Sequence, residues 1–206
     1  MFWRAGERAA RRPIPFDVDR PAVEAARRDP LAFEPLYRKY VSQVYSFAVY
    51  ELRDHHRAED LTDTVFMRAL AALPRFDERG DGGASTFRVW LFQIARNAIA
   101  NERRTDRRRP EAPLDAAASV AAADDPAARA ADREAMIHAW HAIDRLPEDR
   151  RRALVLRFVE EMSTAEIAAV LGRSEGAVRV LIHRALRSVA NELRATADGR
   201  RRDRSR

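Results

Sequence analysis

Arg179, His183, Arg184 and Arg187 stand close together near the end of the chain, set away from an apolar line of Val178, Ile182, Ala185 and Val189. Val180 points the same way as His183, Arg184 and Arg187, and Arg179 lies on the flank. Guanidinium groups so placed suit two tasks: bidentate bonds to the edge of guanine and charge-assisted bonds to phosphate. Groups that could make or break bonds are not arranged to do so. His55 and His56 are adjacent and diverge on a helix, and His138 and His141 share one turn without a cysteine. No nucleophile motif or phosphate-cradling glycine loop occurs, so no metal, cofactor or catalytic set is expected.

The elements that must carry the basic residues are legible around them. Ser163 and Glu166 fit a capping box that starts a short helix through "EIAAVLG". Gly172 permits a turn and Ser174 can cap the next helix. A solvated face on a small bundle would also be basic. Capping box, short apolar helix, tight turn and basic helix together point instead to a helix-turn-helix whose first turns enter the major groove.

Composition agrees with a nucleic-acid partner. The 206 residues carry a formal net charge of +6, and Lys39 is the only lysine among 38 basic side chains. There is no cysteine, which excludes disulfides and thiolate metal sites and fits a reducing cytoplasm. The N-terminus "MFWRAGERAARRPIPF" has no apolar stretch of signal-peptide length, and no run approaches the roughly 20 apolar residues of a spanning helix.

The remaining chain reads as all-α. Phe33, Leu36, Tyr37, Tyr40, Val44, Phe47 and Ala48 form one stripe, predicting a helix over 31–52. Leu61, Val65 and Ala69 form another on a helix over 58–73, where Phe66, Leu70 and Leu73 make a second stripe. Two apolar sides fit either a helix between layers of its own core or one that offers a side to a partner. Pro74 and "RFDERGDGGAST" interrupt the period, and "TFRVWLFQIARNAIANERR" restores it with Phe87, Leu91, Ile94 and Ala98. Trp90 adjoins that stripe and is assigned to the core. "RRPEAPLDAAASVAAADDPAARA" has almost no large apolar residues and reads as a flexible acidic linker. Met136, Trp140, Ile143 and Leu146 mark the next helix, Pro147 opens another, and Leu154 and Phe158 anchor it. Two small helical domains joined by a linker result.

"AEDLTDTVFMRALAALPRFD" with "TFRVWLFQIARNAIANERR" resembles the second conserved region of bacterial RNA polymerase sigma factors, and "IDRLPEDRRRALVLRFVEEMSTAEIAAVLGRSEGAVRVLIHRAL" resembles the fourth. The two-domain layout is similar to the extracytoplasmic-function group of the sigma-seventy family, over about Val23 to Leu193. The resemblance implies a core-docking, minus-ten domain over 20–108 and a minus-thirty-five domain over 131–194, on either side of the linker over 109–130. By composition, the basic extension over 1–19 and the basic tail over 195–206, with "ADGRRRDRSR", read as disordered.

It also implies partners. Core RNA polymerase would be met through the clamp helices of its largest subunit and the flap of the second largest, and the other partner is promoter DNA. An anti-sigma factor is a further expected partner, and membrane insertion is not expected. Asp60, Asp63, Phe66 and Leu70 become a docking surface, with Asp63 where the family commonly has glutamine; an ionised Asp63 cannot donate. Phe76, Asp77, Ser85 and Thr86 fall on the base-capturing loop. Asn97 and Asn101 match base-reading asparagines, and Arg88, Arg96, Arg103 and Arg104 are expected on phosphates. In the helix-turn-helix, Arg173, Ser174, Glu175, Arg179, Val180, His183 and Arg184 fall at DNA-contacting positions, with Arg187 beyond them. The linker would thread toward the active-site and RNA-exit channels, its acidic residues either standing in for RNA phosphate or serving solubility. An initiation factor in the cytoplasm, without catalytic activity of its own, is the expected function. A stand-alone helix-turn-helix regulator with a sensing or dimerising first domain is the alternative.

Overall fold

Helices make up almost all of the computed structural model, which describes residues 19–77, 86–106 and 138–203; no strand occurs among them. Helix α1 (Arg20–Arg28) buries Val23 and Ala26. A 3-10 turn, Pro30–Phe33, follows, with Asp29 accepting from the Leu31 amide at 3.0 Å. α2 (Glu34–Leu52) buries Leu36, Tyr40, Val44, Phe47 and Ala48 and ends at Arg53 in a left-handed conformation, φ 58°. Asp54 caps α3 (His55–Ala72) by accepting from the Arg57 amide at 3.1 Å, because the first amides of a helix have no partner within it. The expected helix over 31–52 is thus a 3-10 turn and α2. The one expected from 58 begins three residues earlier, where the aspartate can cap it.

α4 (Thr86–Asp106) packs against α2 and α3. Its buried residues are not one stripe. Phe87, Leu91 and Ala98 are buried as expected, and so are Phe92, Ala95 and Ile99. The second set has its own neighbours: Phe92 meets Phe47 of α2 with ring centroids 5.5 Å apart.

In the second half, α5 (138–144) leads to α6 (Glu148–Leu154), a π turn (Val155–Val159), α7 (Thr164–Leu171) and α8 (Glu175–Asp203). The capping box forms in both directions. The Glu166 amide donates to Ser163 Oγ at 3.2 Å, and the Ser163 amide donates to the Glu166 carboxylate at 2.8 Å. Gly172 takes φ 65° between α7 and α8, where a side chain would strain the backbone. α8 continues to Asp203, through most of the stretch expected to be a disordered tail.

A further expectation for this half fails. Phe158 is 60% exposed, and Leu156 is fully buried instead. The Glu160 amide bonds to the Val155 carbonyl, five residues back. That π geometry inserts an extra residue into the turn and rotates Phe158 outward.

The halves do not stand apart. Val155, Leu156, Met162, Ile167 and Val170 belong to the same apolar core as Phe47, Phe92 and Ile99. Tyr50 of α2 stacks on Trp140 of α5 at 4.8 Å. The extension 1–18, residues 78–85 with Ser85, and the linker with Met136 lie outside the described residues.

Candidate nucleic-acid interface

The helix-turn-helix is built from local chemistry. α7 is short because Gly172 stops it, and α8 starts where Ser174 Oγ accepts from the Ala177 amide at 3.2 Å. Val178 and Ala185 are fully buried, and Ile182 and Val189 are half-buried. This leaves Arg179, Val180, His183, Arg184 and Arg187 exposed on the other side, the division read from the sequence. Arg179 pairs with Glu175 one turn earlier at 3.3 Å. Arg173 pairs with Asp149, tying the turn to α6. Both pairs are exposed and of little energy, so phosphates can displace the carboxylates.

On α4 the expected residues divide into two groups. Asn97, Asn101 and Arg104 are exposed. Arg88, Arg96 and Arg103 are half-buried and engaged by other parts of the chain. Arg88 donates to the Glu160 carbonyl and lies 3.5 Å from the Glu166 carboxylate. Arg96 donates to the Val170 carbonyl at 2.7 Å, and Gln93 beside it donates to the Ala169 carbonyl at 2.9 Å.

Arg103 joins a cluster of four charges. Its guanidinium lies 2.8 Å from the Glu51 carboxylate and 2.6 Å from that of Glu148. Arg152 makes a two-pronged contact to Glu51 at 3.1 and 2.8 Å, and also reaches Glu148 at 2.5 Å. Burial would raise the Glu148 carboxyl, but Arg103 and Arg152 outweigh it and hold the group below its ordinary value. Burial likewise works against the Arg152 charge, and Glu51 and Glu148 more than compensate, raising its pKa.

Two assignments are corrected. Phe76 cannot stack on a base. It is 6% exposed, with its ring 4.7 Å from Trp90 and edge-on to Phe87 at 6.1 Å. It closes the core where the chain leaves the 3-10 turn at Leu73–Arg75. Asp77 is exposed, and Thr86 begins α4. Trp90 is half-buried against the core, as assigned.

Phe66, expected on the docking surface, is likewise buried. Phe33 from the first 3-10 turn and Tyr37 from α2 cover it, with ring distances of 6.3 and 4.8 Å, and Leu70 packs half-buried on the same core. The second apolar stripe of α3 therefore belongs to the fold. The face α3 turns outward holds Asp60, Asp63 and Met67, the last strongly exposed. Spacing from Asp60 and Asp63 would have singled out Met67. Gln93 could likewise have been placed beside Arg96 by spacing. Glu51 and Arg152 are 101 positions apart and leave no local signal.

Among the described residues, no group of three or more His, Asp and Glu could hold a metal ion. His55 instead meets the Tyr45 hydroxyl at 2.9 Å. No helix among them is long and apolar enough to cross a membrane.

Residues 36–109 match the family model of Sigma-70 region 2, and residues 139–189 that of Sigma-70, region 4. The ECF RNA polymerase sigma factor BldN of Streptomyces coelicolor is 34% identical over 79% of this chain, which spans only 60% of that relative. The ECF RNA polymerase sigma factor SigC of Mycobacterium tuberculosis is 34% identical over 80% of this chain and 84% of its own length. Among solved structures, CnrH in complex with the cytosolic domain of CnrY superposes with a TM-score of 0.62 at 27% identity, covering 87% of this chain and 99% of CnrH.

Proposed function

Because this chain belongs to the extracytoplasmic-function group of sigma-70 RNA polymerase sigma factors, we propose that α8 reads the minus-thirty-five element and the polar side of α4 the minus-ten element. As a sigma factor it binds core RNA polymerase, directs it to specific promoters and helps to open promoter DNA. The order of the two matched regions supports this over a stand-alone regulator.

The observation that carries the residue assignment is the exposed face of α8. Arg179, Val180, His183 and Arg184 lie on its first turns, which the capped helix-turn-helix holds rigidly. Arg173, Ser174 and Glu175 shape the turn, and Arg187 reaches phosphate further along. On α4, Asn97 and Asn101 face the minus-ten bases, and Arg88, Arg96, Arg103 and Arg104 its backbone. Asp60, Asp63 and Met67 form the docking face for the polymerase clamp. The bond-making chemistry belongs to the polymerase, and the chain acts in the cytoplasm beside it. By its likeness to CnrH, solved with the cytosolic domain of CnrY, it takes an anti-sigma protein as a further partner.

Run-off transcription on fragments of the native genome tests the reading. Core enzyme with this chain yields discrete transcripts that core enzyme alone does not. High-affinity operator binding by the lone chain, unaffected by core enzyme, would count against it.

A further inference from the structure

Gly176, Val180, Arg184 and Arg187 follow one another at helical spacing along the exposed side of α8. The first two have no side-chain donor or acceptor. Val180 is 47% exposed, with the polar and exposed Arg179, His183 and Arg184 around it. A lone exposed valine is ordinary on a protein surface. Gly176 sets this one apart. Its backbone is helical, and the left-handed glycine of this motif is Gly172. A Cβ at Gly176 would meet only Ser174 Oγ, at 3.9 Å, an ordinary contact. Neither the turn nor the packing therefore requires glycine here, and helices tolerate it less well than any residue except proline. A bare backbone does allow another molecule to approach closely.

The major groove presents donors and acceptors on every base pair and a single kind of methyl group, at C5 of thymine. Valine has nothing to exchange with the donors and acceptors. Set against any other base, it would strip water from groups it cannot bond. Its side chain is also short, so it reaches a base only where the start of the helix sits deep in the groove. Gly176, one turn earlier on the same side, permits that depth. We propose that Gly176 and Val180 form an apolar step that receives the C5 methyl of one thymine in the minus-thirty-five element. This step selects the base, while Arg184 and Arg187 beyond it bond to a base edge and to phosphate. The proposal rests on the assignment of α8 to that element.

Deoxyuridine pairs as thymidine does and lacks only that methyl. In a promoter found by run-off transcription, each thymine of the minus-thirty-five element, on either strand, is replaced by uracil in turn. Binding of holoenzyme carrying the full chain is then measured. One replacement should weaken binding about fourfold, the worth of about one buried methyl group. Holoenzyme with Val180→Ala should bind the thymine and uracil promoters alike, because the contact is gone. Gly176→Ala should leave the free chain at least as stable in a melting curve and yet lose the same discrimination. A residue that served only the fold would show neither. The proposal is overturned if no replacement weakens binding, if either variant keeps the full difference between thymine and uracil, or if Gly176→Ala lowers the melting temperature. Unchanged promoter choice by Arg184→Ala would instead reject the assignment of α8 to DNA.

Discussion

Arg179, Arg184 and Arg187 are alike in charge and exposure, and differ in how far along α8 they stand. Arg179→Ala and Arg184→Ala should each cost about 1–3 kcal/mol at particular bases of the minus-thirty-five element. Arg187→Ala should weaken binding evenly across sequences and lower the salt slope by about one. Holoenzyme titrations over a set of mutated promoters at several salt concentrations separate the two patterns. At the other site, burial decides which side chain is a clean probe. Asn97 is exposed, so Asn97→Ala should leave folding intact and reduce strand opening by about 1–3 kcal/mol for the base it contacts. Permanganate reactivity should fall on duplex promoter and recover on a template already melted at minus ten. Unchanged reactivity on the duplex would remove Asn97 from the site. Phe76→Ala is a different experiment: it empties a core position and should cost about 3–5 kcal/mol of stability, visible in a melting curve without any DNA.

Where a single residue fixes the backbone, the elements were legible from the sequence. Ser163 with Glu166 announced the start of α7, Gly172 its end and Ser174 the start of α8, and all three form as read. Ser163→Ala should accordingly cost about 0.5–2 kcal/mol by leaving the Glu166 amide without its cap. Gly172→Ala should cost about 1–2 kcal/mol because its left-handed backbone crowds a Cβ. Denaturant unfolding measures both, and a neutral Gly172→Ala would mean the turn had moved. Periodicity failed where it was interrupted or where a helix had more than one neighbour. It placed Phe158 inward, one turn after Leu154, but the π turn spends an extra residue there, and nothing local announces that. It gave α4 one buried stripe, whereas Phe92, Ala95 and Ile99 are buried as well. The same gap explains Phe66. A second apolar stripe says that something covers the helix, but not whether the cover is Phe33 of the same chain or another protein. Exposed basic and amide side chains were legible because they need no tertiary partner; the engagement of Arg88, Arg96 and Arg103 was not.

For the molecule as a whole, the packing of the two halves on each other, the closed form, should depend on pH through Glu160. Its side chain is buried in the contact, with Arg88 of α4 and Tyr50 of α2 as its charged and titratable neighbours. Burial pushes the carboxyl up from an ordinary 4.5 to about 8, with Arg88 pulling weakly the other way. The Tyr50 phenol is raised too, by burial and then by Glu160, and stays neutral through this range. When the halves part, Glu160 enters water and returns to its ordinary value. Below 4.5 both forms hold the proton, so Glu160 does not oppose closure. Between 4.5 and about 8 only the closed form holds it, so each pH unit upward weakens closure by about 1.4 kcal/mol. Above that window both forms are ionised and the dependence ends. Glu148 has the opposite sign. Its carboxyl lies below the ordinary value in the closed form, so its contribution is lost only as pH falls through that lowered pKa, beneath the Glu160 window. Arg53 and Asp144 form an ion pair across the contact at 2.6 Å, so joining of the thiols introduced by Arg53→Cys and Asp144→Cys with a bismaleimide should report closure, measured against a surface-thiol control to remove the reactivity of the thiols themselves. Corrected in this way, the closed fraction should decline from about pH 5.5 to pH 8, and Glu160→Gln should flatten the decline and keep the chain closed at the upper end. An equal decline in both proteins would show that another group governs closure.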